Sequence, residues 1–312
     1  MVHRLFNGPR TKESIHRQFF DVPLSHRCAE NDPLLDLDGR IKAIVVEKSD
    51  MADNSDYPYA LEMVNIEKYF GLVCALKNIN LQVGRNEIVG LIGDNGAGKS
   101  TMVKILTGVH QPTSGELYVA GRKVDLKSYN VKTAHSYGIE TVYQDKSLGE
   151  KQVLWRNFFI GRQITRRLGF IDVKKEKEIA NEIMLNTIGF RGKGITVDSK
   201  VNKLSGGERQ GVAIGRAMHF EAELIVLDEP TVALSLKEVR KVLNFVHKIK
   251  EAGKACVYIS HSIQDVYEIS DRFVVLDRGE IVGSIEKKDT SLQDLDDFLL
   301  SYSHGLKDKR ES

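Results

Sequence analysis

The run Gly93-Asp94-Asn95-Gly96-Ala97-Gly98-Lys99-Ser100-Thr101 places glycines, a lysine and two hydroxyls at the spacing G-x-x-x-x-G-K-[ST]. Those residue types suit polyphosphate chemistry. Glycines let successive backbone N–H groups turn inward on phosphate oxygens, and a following helix N-terminus adds partial positive charge. The spacing puts the Lys99 ammonium within reach of β- and γ-phosphates, and the Ser100 hydroxyl at one Mg2+ position. A glycine-rich strand–helix turn is the bland alternative. Against it, residues 87–92 read as a buried strand and Lys99–Leu106 as a helix stopping at Gly108, which is the context that binding of a nucleoside triphosphate requires.

Acids for the same chemistry stand further on. Residues 224–227 are apolar and lead into Asp228 and Glu229. A carboxylate at a strand's C-terminal edge can hold Mg2+, a role that falls to Asp228, and Glu229 can polarise a water against a γ-phosphate. Simple solvation of two adjacent acids is the alternative. Ser205, Gly206 and Gly207 stand just before a helix expected over 211–218, a second geometry suited to anions, or else a capped loop. His261 exits another apolar stretch, 255–260, beside the acids, which favours a γ-phosphate contact over a structural role. Phe70, at a turn before Gly71, could stack on an adenine or pack in a core. Periodicity does not separate those two.

Several elements must position these groups. Residues 60–83 read as strand, turn, strand, with Ile79, Leu81 and Val83 alternating with polar neighbours. Hairpins are expected over 115–124 and 272–285, and a short strand over 138–144 ending at Gln144. From about 146 to 203 the character becomes helical, with Ile179, Ile183 and Ile188 on one face closed near Gly189. Trp155 reads as core rather than contact. Ser235 and Glu238 form a capping box for a helix that buries Val239, Leu243 and Val246, and residues 292–302 form a terminal amphipathic helix.

Composition narrows the function classes. The 312 residues carry 45 Lys+Arg against 43 Asp+Glu, a net charge of +2 that argues against a nucleic-acid field. Three separated cysteines lack metal or disulfide spacing and fit reduced thiols. Neither a membrane-length apolar run nor a signal-peptide core is present. Any work at a membrane is therefore that of a peripheral subunit. Residues 1–57 show no periodicity and end in a polar linker-like stretch, so they read as a poorly ordered extension with Met51 as the expected natural start.

Taken together, these motifs resemble the ATP-binding subunit of an ABC transporter. The resemblance covers roughly 58–305 and implies a P-loop α/β fold: a mixed-sheet core, an antiparallel β subdomain and an inserted helical subdomain at about 146–205, followed by a tail at 306–312. Phe70 matches the adenine-stacking loop. Gly93, Asp94, Asn95, Gly96, Ala97, Gly98, Lys99, Ser100 and Thr101 match Walker A, and Gln144 the Q-loop. Ser205, Gly206 and Gly207 belong to the signature, Asp228 to Walker B, Glu229 to the catalytic base and His261 to the switch histidine. The resemblance implies ATP and Mg2+ as cofactors, with Ser100, Gln144 and Asp228 on the metal, and Glu229, His261 and Lys99 in catalysis. Two spellings depart from the family: Glu208 for the usual Gln, and Ser235 for the usual Asp.

The spelling of Walker A and of 138–144 is similar to the single-domain fructose or ribose import branch. That implies a sugar importer on the cytoplasmic face of a bacterial membrane. Its partners would be permease subunits, a periplasmic sugar-binding protein acting indirectly, and a second copy of the chain, since only one Walker A is present. The alternative class is a soluble ABC ATPase acting on nucleic acid or ribosomes. The short helical insertion, the near-neutral charge and the lack of zinc spacing disfavour it.

Overall fold

The computed structural model describes residues 57–304 apart from 144–147, 191–193 and 221; the expected extension before Tyr57 lies outside the described residues, as does Gln144. An antiparallel sheet pairs β1 (Tyr59–Phe70), β2 (Val73–Gly84), β4 (Ser114–Val119) and β5 (Arg122–Lys123) in the order β2-β1-β4-β5. A second sheet has the order β10-β9-β3-β8-β7-β6. It comprises β3 (Ile88–Ile92), β6 (Ile139–Val142), β7 (Leu224–Asp228), β8 (Ala255–Ile259), β9 (Arg272–Asp277) and β10 (Glu280–Glu286). Its pairings are parallel except β9 with β10, so it is the mixed sheet expected.

The two-residue period of the strands builds the layers. Ile88 and Ile92 of β3, Ile225 and Leu227 of β7, and Cys256 and Tyr258 of β8 face one way, into a core shared with helices. The intervening Val89, Leu91, Leu224, Val226, Val257 and Ile259 face the other way. There they meet Leu61, Met63 and Leu81 of the antiparallel sheet and Met102 and Val103 of α1 (Lys99–Leu106). Strands buried on both faces read as continuous apolar runs. Gly90 lies on the helix-facing side because α7 (Ile263–Ile269) presses directly on it. A Cβ there would stand 2.3 Å from Val266 Cγ1.

Phe273 on β9 is fully buried and stacks on Tyr267 of α7, with ring centroids 5.5 Å apart. Truncating such a ring costs about 3–5 kcal/mol. Phe273→Ala is therefore expected to lower the thermal midpoint by roughly 10 °C in a calorimetric scan. A shift under about 3 °C would show that the site collapses to refill the space.

Between β6 and β7 the chain builds its helical block: α3 (Leu154–Phe158), α4 (Val173–Glu182) and α5 (Gly206–His219), with α2 (Val131–Ser136) preceding β6. Trp155 is 7% exposed, as its core reading expects. The segment Ile183–Ile188 continues α4 as a π-helical turn and closes at Gly189 in the left-handed region (φ 81°). This explains the odd spacing of the isoleucines. Ile179 to Ile183 is one α turn, and Ile183 to Ile188 is one five-residue π turn, so all three keep to the packed side. After β7 come α6 (Leu236–Glu251), which buries Val242, Leu243, Val246 and Ile249, and at the end α8 (Leu292–His304).

Candidate functional site

The carboxyl ends of β3, β7 and β8 lie side by side, because β3 pairs with β8 and β8 with β7. Open α/β sheets place ligand sites at that edge. Gly93 follows β3, Asp228 ends β7 and His261 follows β8, so three motifs that are distant in sequence arrive together.

The loop after β3 has the geometry its spelling predicts. Gly98 caps α1 with φ 110°, a backbone state closed to most side chains. Gly93 is needed for a different reason: a Cβ there would stand 2.2 Å from the Leu276 carbonyl oxygen. The loop is tied to the β9–β10 turn, where Gly279 N–H donates to the Ala97 carbonyl at 2.8 Å. Lys99 is buried, and its Nζ donates to the carbonyls of Gly93 (2.5 Å) and Asp94 (3.0 Å). Burial pushes its ammonium pKa down, opposed by Glu229, Asp94 and Asp228.

Asp228 responds in the opposite direction. Burial raises its pKa, Glu229 adds to the rise, and Lys99, Lys104 and His261 counter it. A buried carboxylate that is costly to ionise beside a second acid forms an environment to which a divalent cation is complementary. With the hard oxygens of Ser100 and Asp228 as donors, the residues fit Mg2+. Glu229 adopts a left-handed backbone (φ 51°), and its N–H donates to the Ile259 carbonyl at 2.9 Å. Strained backbone of this kind at a non-glycine residue persists where the surroundings over-determine it. Beyond it, the Thr231 hydroxyl donates to Asp265 Oδ2 at 2.9 Å, pinning the turn to α7.

The Nε2 of His261 lies 2.6 Å from Glu229 Oε1. The imidazole that the sequence aimed at a γ-phosphate therefore addresses the expected base. A cleft of about 690 Å3 is lined by Asp94, Asn95, Gly96, Gly98, Lys99, Ser100, Thr101, Glu229 and His261. Its remaining wall is Val73, Cys74, Ala75 and Arg278, which the sequence reading did not single out. No motif marks them. They reach the cleft only because β2 and the β9–β10 turn fold against the loop.

Phe70 is 44% exposed rather than core, which favours its surface reading. Its ring pairs edge-on with His110 at 5.3 Å, and it is not among the cleft-lining residues. Ser205, Gly206 and Gly207 also stand apart from the lining. One expectation is corrected here: the helix starts at Gly206, not Gly211, so both glycines form its first turn. The reason is a capping box, in which the Ser205 hydroxyl accepts from Glu208 N–H and Glu208 reaches back to Ser205 N–H. Glu208, one of the departures from the family spelling, is thus the second half of the cap. The other departure, Ser235, caps α6 with Glu238.

Glu238 links these two helix starts. Its carboxylate accepts from Ser235 N–H at 3.0 Å and from Gly207 N–H at 3.3 Å. Hydrogen bonds from the Ser235 backbone and side chain, then from Gly207, hold its pKa down at about 2. A depressed carboxylate adds stability above its unfolded pKa and loses it as pH falls through the folded one. The stability gap between wild type and Glu238→Gln is therefore expected to be full above about pH 4.5 and to vanish towards about pH 2. Urea unfolding across that range measures it; a gap that is flat with pH would remove Glu238 from this role.

The fold and the loop after β3 define the class: a P-loop nucleotide-binding protein with a helical insertion before β7. The profile of the ABC transporter family matches residues 76–232, half of the chain. The chain belongs to the ABC transporter family.

It is 40% identical over 245 residues to the xylose/arabinose import ATP-binding protein XylG of Sulfolobus acidocaldarius, covering 78% of this chain and 95% of that one. It is 37% identical over 235 residues to the ribose import ATP-binding protein RbsA of Caldanaerobacter subterraneus subsp. tengcongensis, covering 75% of this chain but 46% of that protein. The chain thus spans under half the length of that ribose relative. Among solved structures, a nucleotide-free ATP-binding cassette from an ABC transporter matches with TM-score 0.64 at 25% identity, covering 74% of this chain and 93% of that one. The dimeric post-hydrolysis cassette MJ0796 bound to ADP and Pi matches with TM-score 0.60 at 28% identity, covering 73% and 98%.

Proposed function

We propose that this chain is the ATP-hydrolysing subunit of a sugar importer, acting as a head-to-tail pair of copies beneath a membrane permease. The observation that carries the hydrolytic part is the convergence of Lys99, Ser100, Glu229 and His261 on one cleft, with Asp228 at the adjoining strand end. The family and the import names of the two relatives support the transport part.

In this reading ATP lies along the loop 93–101, with Lys99 on the β- and γ-phosphates. Ser100 and Asp228, joined by Gln144, would hold Mg2+, which would supply charge neutralisation for the phosphates. Glu229 accepts a proton from the attacking water as the terminal P–O bond breaks, releasing ADP and phosphate. His261 holds the Glu229 carboxylate in place and lies close enough to the cleft to reach the γ-phosphate. Phe70 is the adenine platform in this reading. Because Ser205, Gly206 and Gly207 do not line the chain's own cleft, they serve the nucleotide of the second copy. Closure is then driven by contacts that only the triphosphate makes.

No helix among the described residues is long and apolar enough to cross a membrane, in keeping with a peripheral subunit. The permease, and through it a periplasmic sugar-binding protein, supply the sugar path. The test is reconstitution of the chain with its co-encoded permease in vesicles. ATP-dependent uptake of a labelled pentose or hexose is expected, and hydrolysis that is absent with and without the permease would overturn the reading.

A further inference from the structure

Glu140 is a buried charge that the hydrolytic site does not use. It stands on β6, four positions before Gln144, and is only 4% exposed. Arg162, just beyond α3, donates to its Oε1 at 2.5 Å, and Nδ1 of His135 on α2 lies 3.2 Å from the same oxygen. The Arg162 guanidinium also covers the Phe220 ring, 4.1 Å from its centroid. Arg216, near the C-terminal end of α5, lies within the electrostatic reach of the same pair. Burial pushes its guanidinium pKa down, Glu140 opposes that and Arg162 adds to it. One carboxylate from the core sheet thus offsets two guanidinium groups from the helical block. Charges out of water persist only when balanced in this way.

The same corner grips the chain beyond residue 147. Asn157 is fully buried; its Oδ1 accepts from Gly149 N–H at 2.7 Å, and its Nδ2 donates to the Val153 carbonyl at 3.0 Å. The Asn157 backbone carbonyl in turn accepts from Arg216 at 3.5 Å. One end of α5 is therefore tied to β6 through Phe220 and Arg162, and to the chain after residue 147 through Arg216 and Asn157, while the other end carries Ser205, Gly206 and Gly207. Ten residues of helix separate Arg216 from Gly206, roughly 15 Å of stiff rod. A tilt of about 10° at Arg216 would move Gly206 by roughly 2.6 Å, enough to break a hydrogen bond that tolerates only tenths of an ångström.

We propose that Glu140 is a positioning residue: through Arg162 and Arg216 it is the pivot that sets the angle of α5, and so decides whether Ser205, Gly206 and Gly207 can engage the nucleotide of a second copy. The inference rests on the reading of the chain as a paired ATPase. It separates two quantities that a general loss of folding would move together. Nucleotide affinity belongs to the loop 93–101, far along the sheet from the pivot, whereas turnover needs the partner's signature.

The discriminating variant is Arg162→Met, which leaves Glu140 balanced by Arg216 and so keeps the corner folded. Its affinity for a fluorescent ATP analogue and its KM are expected to stay within about twofold of wild type, while kcat falls about tenfold. ATP-driven dimerisation in a Glu229→Gln background, followed by size-exclusion chromatography with light scattering, is expected to be lost. Arg162→Lys, which keeps the charge, is expected to recover most of the kcat. Glu140→Gln is expected to follow Arg162→Met. An unchanged kcat in a folded Arg162→Met would overturn the pivot, as would a kcat loss matched by equal loss of nucleotide affinity. A wild-type chain without ATPase activity would overturn the parent reading, and the pivot would fall with it.

Discussion

Glu229→Gln is expected to lower ATP hydrolysis by roughly 10²–10⁴-fold while leaving ATP affinity within about twofold. The substitution preserves volume and removes the negative charge, and with it the ability to accept a proton. Glu229 sits at the rim of the cleft in a left-handed backbone set by its N–H bond to Ile259, so Gln occupies the same place. Binding survives because Lys99 and the loop backbone are untouched. It should tighten the pair of copies, since a triphosphate that cannot be cleaved keeps the closing contacts in place. Phosphate release under saturating ATP, measured alongside light scattering, reads both quantities. Hydrolysis at the wild-type rate would show that another group takes the proton, and His261, 2.6 Å away, would be the first to examine.

Lys99→Ala is expected to cost about 2–4 kcal/mol of ATP binding, roughly 30- to 1,000-fold in affinity. Lys99 is a buried cation held by the loop carbonyls, within the electrostatic reach of both acids. Its removal deletes the point charge for the β- and γ-phosphates and takes from Asp228 the cation that most offsets its burial. The Asp228 carboxyl, already raised by burial and by Glu229, should rise further, so Mg2+ dependence should shift to higher concentrations as pH falls. Lys99→Arg should recover little. The guanidinium fork needs room beside the Gly93 and Asp94 carbonyls that a single ammonium now fills. Isothermal titration with ATP and with ADP distinguishes the effects. An equal loss for both nucleotides would place the lysine on the β-phosphate alone.

Much of this site was legible in the chain because its chemistry is local. The spacing of the loop 93–101, the apolar approach to Asp228 and Glu229, and the cap residues Ser205 and Ser235 are each decided within a few residues. The strand and helix boundaries around them followed from period and punctuation, with Lys99–Leu106 found as expected. What failed to show was non-local. Val73, Cys74, Ala75 and Arg278 carry no pattern, and they line the cleft only through the packing of β2 and the β9–β10 turn. The start of α5 at Gly206 is hidden in the sequence because glycines argue locally against helix, whereas the reciprocal Ser205–Glu208 bonds outweigh that cost.

The sequence by itself determined that this protein has a loop with the spacing G-x-x-x-x-G-K-[ST], two acids and a histidine at strand ends, and a serine-capped, glycine-rich helix start. These are encoded by residue types at short spacing and by hydrophobic period. Only the tertiary structure decided that β3, β8 and β7 are neighbours, and hence that Gly93, His261 and Asp228 meet at one edge. It also decided that Glu140, a lone acid in an apolar strand, meets Arg162 of the helical block and His135 of α2. Strand order and charge pairing across the fold arise from burying apolar faces and balancing buried charge over the whole chain. No short window of residues contains either.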